Sequence, residues 1–535
     1  MKIIFILRSV LLLVVLFVWA HFSLAQSIAG NQEIQKIVAA MQIIDLAYVD
    51  SVDMDDVVSD AIVKSLKGLD PHSAYISKED VQKANEPLEG SFEGIGVTFQ
   101  LFQDTILVIS PVPDGPSDKL GILSGDRIVK INNEDATGDK IDNEWVMERL
   151  RGKKGTSVDV SIYRNGKKDL LEFTIIRDKI PLHSIDASFM AAPQTGYIRL
   201  NRFSKTSIDE FTSAVADLKE LGMSKLILDL RGNSGGYLNI AVELADEFLE
   251  SGKLLVYTEG LHSPKQPFFS TSAGCFEKGK LVVIIDEASA SASEIVAGAV
   301  QDWDRGIVIG RRSFGKGLVQ RPFNLPDGSV IRLTTARYYT PTGRCIQRSY
   351  ENGTEEYYDE FEQRFEHGEY LFADSIQFPD SLKYETPRGR VVYGGGGIMP
   401  DVFIPWDSTM FSDYYVELRR KGVLNTFTLQ YVEKNRAILN EKYPRIETFT
   451  DNFIVDEALI GEFKEKAEKE GVKFDEEGWK SSELLIHTQI KALIARSLWD
   501  IDAFYEIMSV IDDEFHKAVD LLEDNNEIFQ KLNIG

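Results

Sequence analysis

Between Gly196 and about Thr340, short apolar runs alternate with stretches of helical period, and this alternation limits the fold more than any other feature of the chain. Tyr197-Leu200, Lys225-Leu230, Leu281-Ile285 and Gly306-Ile309 read as strands, while Ser207-Leu221, Leu238-Leu249 and Ser293-Gln301 read as helices. Strands and helices that take turns along a chain pack as α/β layers. On either side the character changes. From Asn31 to Leu88 the period is helical: Ile34, Ile37, Val38 and Met41 share a face, as do Val57, Ile62, Val63 and Leu66, before the turn-rich Asp70-Pro71-His72-Ser73. From Gly90 to about Lys179 there are short β runs with glycine turns, and from about Ser408 the chain is helical again. The acidic, tyrosine-rich stretch Glu351 to Tyr384 has no evident place in either pattern. A length of 535 residues exceeds what one hydrophobic core supports. The expectation is a multidomain α/β protein: an α/β core with an inserted β-rich module, an N-terminal helical cap and a C-terminal helical region. The expected bounds are 26–88 for the cap, 89–180 for the module, 181–405 for the core and 406–535 for the helical region.

The first 25 residues read as a leader. Lys2 and Arg8 supply positive charge, Val10 to Ala20 is nearly unbroken apolar sequence, and Ser23-Leu24-Ala25 offers small residues for cleavage after Ala25. The apolar run is short for a membrane span, which needs about 20 residues, so cleavage is expected rather than an uncleaved anchor. The mature chain is placed outside the cytoplasm, most simply in a periplasm. A net charge of -25, with no basic stripe, argues against nucleic acid as a partner. Cys275 and Cys345 are the two cysteines; an oxidising compartment permits a bridge between them, two free or buried thiols are the expectation, and neither has metal-ligand spacing.

Three stretches carry chemistry. In Ala288-Ser289-Ala290-Ser291-Ala292-Ser293-Glu294-Ile295, serines lie between a buried strand and a helix, where free N–H groups and the positive helix end suit a nucleophile that generates an oxyanion. A serine-rich helix cap explains the same residues without chemistry. In Ser313-Phe314-Gly315-Lys316-Gly317-Leu318-Val319-Gln320, a lone amine stands between two glycines. A lysine is a general base only when neutral, which requires burial or nearby positive charge; the plain alternative is a surface lysine in a turn. Gly310 to Lys316 has the spacing of a nucleotide-binding loop, but Gly317 stands where a magnesium-binding hydroxyl is needed, so that reading fails. The third stretch, Leu226-Ile227-Leu228-Asp229-Leu230-Arg231-Gly232-Asn233-Ser234-Gly235-Gly236, runs a strand into a glycine turn whose amides suit an oxyanion hole. Its Gly232-x-Ser234-x-Gly236 also matches a nucleophile elbow, but none of His262, His367, His487 and His516 downstream has a context that recommends it as a partner.

Together and in this order, these stretches resemble the C-terminal processing peptidases, or tail-specific proteases, over roughly residues 30 to 405. The resemblance also includes Asp70-Pro71-His72-Ser73-Ala74-Tyr75, Gly94-Ile95-Gly96-Val97 and Tyr339-Thr340-Pro341-Thr342-Gly343. It implies that Ser291 is the nucleophile, Lys316 the general base and Gln320 the residue that orients the lysine. Ala292 with Gly235 or Gly236 would supply the oxyanion hole, and Asp302 matches an aspartate that matters in some members, although a helix C-terminal acid explains it equally well. A Ser–Lys pair is a known variant of the catalytic triad, and no histidine occurs between His262 and His367, where the serine and lysine stretches lie. The β-rich module would be a PDZ domain, with Gly94, Ile95, Gly96 and Val97 holding a peptide's terminal carboxylate and the helix around Trp145 to Leu150 forming the other groove wall. Arg151, Lys153 and Lys154 either assist that carboxylate or form a solvated basic turn.

The resemblance therefore implies an exported serine endopeptidase that cleaves proteins near their C-termini, with no metal and no organic cofactor. Its partners would be protein and peptide tails, with an adaptor protein and a homo-oligomer as further expectations. The contrasting reading is a PDZ-type scaffold that binds peptides without cutting them.

Overall fold

The computed structural model describes residues 32–532 apart from 103, 139, 273, 377 and 524–526; the leader expected over residues 1–25 lies outside the described residues. The chain divides into two compact units. The smaller holds the described residues up to Lys78 together with Pro322–Leu333. Its helices are Gln32–Ala47 and Met54–Lys67, the second capped by the Asp53 carboxylate, which accepts the Asp55 N–H. This unit is not wholly helical: Ala74–Ile76 is a strand, antiparallel to residues 330–332. Three residues are too few to show a period of two, which is why the sequence does not announce it.

The larger unit contains the α/β core. Its six-stranded sheet runs in the order Ile185–Ala192, Thr195–Leu200, Lys225–Asp229, Leu281–Ile285, Ile307–Gly310, Val402–Phe403; the first pair is antiparallel and the rest are parallel. Parallel strands need both faces covered, and alternate side chains divide between two apolar clusters. Leu226, Leu228, Val283, Ile285 and Val308 share one cluster with residues of the helices Ser207–Glu220, Leu238–Asp246 and Ala292–Asp302. Ile227, Val282, Ile284, Ile307 and Ile309 share the other with Phe515, Ala518, Leu521 and Leu522 of the helix Asp513–Glu523. Each buried side chain of this size contributes about 1.5–3 kcal/mol.

The β-rich module is an antiparallel sheet of Val97–Phe102, Thr105–Pro111, Arg127–Ile131, Ser157–Tyr163 and Leu171–Ile176, with the short strand Glu134–Asp135 beside it. The helix Asn143–Leu150 packs into the same core through Val146 and Leu150. Entry and exit strands, Ser91–Gly94 and Asp178–Pro181, pair with each other, as an inserted module requires. The C-terminal helices have a cluster of their own, in which Phe449, Phe463, Ile486 and Ile490 are fully buried. The hairpin Leu254–Gly260 and Ser263–Phe269 is absent from the sequence reading because its second strand is largely exposed and contains Pro264 and Pro267.

Candidate active site

Three neighbouring parallel strands end side by side, and each carboxyl end leads into one of the three chemical stretches. Lys225–Asp229 leads to the Gly232–Gly236 turn, Leu281–Ile285 to Ser291, and Ile307–Gly310 to the Lys316 loop. Carboxyl ends of parallel strands are where α/β sheets place their sites. Backbone bonds then join the stretches: Ala290 N–H donates to Asn233 O at 3.0 Å and Phe314 N–H to Ser289 O at 3.0 Å.

The three serines separate by environment. Ser289 and Ser293 are fully buried; their hydroxyls donate to Leu230 O and Asn233 O, each at 2.8 Å. Ser291 is half-buried and is the N-cap of the helix Ala292–Asp302, with φ 55° and ψ -108°. A non-glycine residue held at such an angle costs about 1–3 kcal/mol and needs surroundings that enforce it. Here they include Glu294, whose Oε2 accepts the Ser291 N–H at 2.8 Å.

The same oxygen accepts the Lys316 N–H at 2.9 Å, while Oε1 accepts the Gly315 N–H at 2.7 Å and the Ser313 hydroxyl at 2.6 Å. Burial pushes the Glu294 carboxyl above the usual range, and these four donors act in the opposite direction. A second bridge is Tyr338, whose hydroxyl lies 2.7 Å from Lys316 O and 3.1 Å from Ser291 O; burial raises this phenol well above its ordinary value, and the Glu294 charge adds to the effect. The serine and lysine backbones are thus held on one carboxylate and one phenol. Neither bridging residue has a role in the sequence reading. Glu294 was findable, since Ser291-x-x-Glu294 is a capping-box spacing; Tyr338 carries no local signal.

The glycine turn closes on the serine. A Cβ on Gly235 would lie 2.9 Å from Ser291 Cβ and 3.0 Å from Ala292 N, so only a glycine allows this approach, at φ 105°. Gly235 N–H donates to Asn233 Oδ1 at 2.9 Å, whereas the Gly236 N–H takes no part in the bonds to Asn233 and Phe203 that fix the turn. Of the two glycines, Gly235 thus has its amide engaged within the turn. Gln320, half-buried, donates to Thr334 Oγ1 at 3.3 Å across its hairpin. Asp302 anchors scaffold: its carboxylate accepts the Thr342 N–H and hydroxyl at 3.0 and 2.8 Å and pairs with Arg344 at 2.7 Å. Nearby, burial acts to raise the Asp229 carboxyl, but Arg199 and Arg231 outweigh it and hold the group well below the carboxylate range.

Ser234 is exposed, and among the described residues no hydrogen bond joins it to a histidine. His262 and His367 are exposed, His487 lies against Trp479, and His516 bonds to Val510 O. Cys275 and Cys345 are free thiols; burial pushes Cys275 up to about 12.

In the β-rich module, Val97–Phe102 is an edge strand, paired on one side to Thr105–Pro111. Gly94 ends the entry strand, and Ile95 O accepts both the Ser117 N–H and hydroxyl, at 3.1 and 2.6 Å. Gly96 takes φ 74° and its carbonyl accepts the Val112 N–H. Val97, Phe99, Leu101 and Trp145 stay half-buried beside the core. Arg151 points elsewhere, pairing with Glu86 and lying over Phe92, and Lys154 pairs with Asp178.

Residues 194–356 match the family model of peptidase family S41, residues 94–175 that of the PDZ domain, and residues 414–500 that of a family of unknown function. The carboxy-terminal processing protease CtpB of Bacillus subtilis is 36% identical over 59% of this chain and 66% of its own length, just under two thirds. The carboxy-terminal-processing protease of Bartonella bacilliformis is 35% identical over 65% of this chain and 80% of its own length. Among solved structures, a photosystem II D1 C-terminal processing protease is 27% identical, aligned over 59% of this chain and 90% of that one with a TM-score of 0.33. With this similarity to a relative covered over four fifths of its length, the chain belongs to peptidase family S41, among the carboxy-terminal processing proteases.

Proposed function

We propose that this chain is an exported serine endopeptidase that cuts proteins near their C-termini, with Ser291 as nucleophile and Lys316 as general base. One observation carries the reading: the half-buried serine at a strained strand-to-helix junction shares a carboxylate oxygen with the backbone of a lysine on the neighbouring strand's loop. Neutral Lys316 takes the Ser291 hydroxyl proton as Oγ attacks the peptide carbonyl. The tetrahedral oxyanion faces the amides of Ala292 and Gly236, and its collapse releases the amine, which leaves with that proton. Water, activated by the same lysine, then hydrolyses the acyl-enzyme. Gln320 orients the lysine in this reading, and Asp302 supports the helix from its far end. The PDZ domain takes the substrate tail along the edge strand Val97–Phe102, with the terminal carboxylate at Gly94–Val97. The leader-like start supports export, most simply to a periplasm, and an adaptor protein or a homo-oligomer belongs to the same proposal.

The test is mass spectrometry of an unfolded protein with an apolar C-terminus after incubation with wild type, Ser291→Ala and Lys316→Ala. Cleavage is expected from wild type alone and is expected to be insensitive to EDTA. Cleavage that survives in both variants overturns the dyad and returns attention to Ser234. No cleavage by any of the three, even with a C-terminal peptide added as activator, favours the peptide-binding scaffold.

A further inference from the structure

From the stretch 351–384, which fits no pattern in the sequence, the helix Thr354–Glu366 packs onto the loop that carries Lys316. The helix Thr354–Glu366 brings Phe361 to 5.1 Å and Tyr357 to 6.2 Å from the ring of Phe314, two residues before the lysine. Arg348, 2% exposed, is enclosed by these three rings, at 4.4 Å from Phe314, 3.8 Å from Tyr357 and 4.9 Å from Phe361. Its backbone N–H donates to Gly315 O at 3.1 Å. From the same helix, Arg364 reaches the loop's first carbonyls, donating to Arg312 O at 2.7 Å and Ser313 O at 3.2 Å. Two carboxylates offset part of the charge of the three arginines: Glu369 accepts from Arg312 and Arg364, and Glu360 from Arg348.

The loop has reason to need such contacts. From Ser313 to Gly317 it has no regular structure, and Gly315 sits at φ 87°, so its own backbone gives it little stiffness. On the core side Glu294 holds its N–H groups. The other side is held by the aromatic stack and the two arginines. A general base must sit within hydrogen-bond reach of the proton it takes, and a misplacement of about 1 Å costs roughly a hundredfold in rate. We infer that residues 348–369 form a clamp that positions Lys316, with Arg348, Phe361 and Arg364 as positioning residues that touch no substrate. This rests on Lys316 being the base.

The experiment compares wild type, Lys316→Ala, Phe361→Leu, Phe361→Tyr and Arg364→Met in the full chain, using steady-state cleavage and hydrogen exchange at residues 315–317. Phe361→Leu and Arg364→Met are expected to lower kcat about ten- to a hundredfold with KM within twofold. Their amides at 315–317 should exchange at least tenfold faster, while those of the helix Ala292–Asp302 keep wild-type protection. Phe361→Tyr, which keeps the aromatic face, should restore both. Wild-type kcat and exchange in Phe361→Leu overturn the clamp, as does a loss that falls on KM. Should Arg364→Met fail to fold, the two Phe361 variants decide alone. Cleavage by Lys316→Ala is a different failure: it removes the base that the clamp is inferred to hold, whatever the Phe361 variants do.

Discussion

At the scale of single residues, the site depends on a side chain that performs no chemistry in the proposed reaction. Glu294 uses both carboxylate oxygens to accept four donors from two different loops. Glu294→Gln keeps one acceptor oxygen and turns an NH2 group toward donors that it cannot satisfy. Each buried donor left unmet costs about 1–3 kcal/mol, and here the cost falls on the geometry between the proposed nucleophile and base. We expect kcat to fall at least tenfold, with a lower melting temperature, checked by peptide-cleavage kinetics beside a thermal melt. Full activity in this variant would mean that the two backbones keep their places without the carboxylate. Gly235→Ala is expected to fail for a different reason. Its Cβ would press on Ser291 and on the Ala292 amide from a left-handed backbone; a drop in kcat of about a hundredfold or more is predicted in the same assay.

At the scale of elements, the question is which acids serve chemistry and which hold parts together. Asp302, at the end of the helix that Ser291 opens, forms with Arg344 an ion pair from which solvent is wholly excluded. Removing one partner of a buried pair costs about 3–5 kcal/mol. Asp302→Ala should therefore lose about that much stability in a denaturant titration, and Asp302→Asn less, because an amide oxygen still accepts from Thr342. A variant with wild-type stability and no activity would instead place Asp302 in the reaction. Elements of this core were legible in the sequence where their pattern is local. The buried strand Leu281–Ile285 is five apolar residues in a row, and Ser289 follows after Asp286, Glu287 and Ala288. Glu294 was half legible, as a capping-box residue, but its bonds to the lysine loop depend on two strands lying side by side. Tyr338 and the clamp around Arg348 were illegible. Their partners lie far away in sequence, and an aromatic or arginine at such a position looks the same whether it meets solvent or a neighbouring loop.

At the scale of the whole larger unit, the C-terminal helical region is joined to the sheet by charge as well as by apolar packing. Asp512 and Glu514 accept from Arg231, which precedes the glycine turn, and Glu514 also pairs with Arg311, which precedes the lysine loop. The same junction contains a group at a disadvantage. Burial, with Asp500 beside it, raises Asp502 to about 6, although its carboxylate accepts the Ser188 N–H. A carboxyl whose folded pKa lies above its ordinary value favours folding below about pH 4, and that contribution is lost as pH rises through about 6. Asp502→Asn should thus raise the melting temperature at pH 7.5 and leave it unchanged at pH 4; an equal shift at both would rule this ionisation out. The clamp on the lysine loop has a bearing on timing. A chain is made from its N-terminus, and domains fold largely in that order. The strand and helix that flank Ser291 are complete before residues 351–384 exist, and the sheet's second face is not fully covered until the helices Ile501–Met508 and Asp513–Glu523 arrive. On the proposed dyad and the inferred clamp, a chain that stops short of residue 351 carries Ser291 with no aligned base, so cutting waits for the insertion to be made.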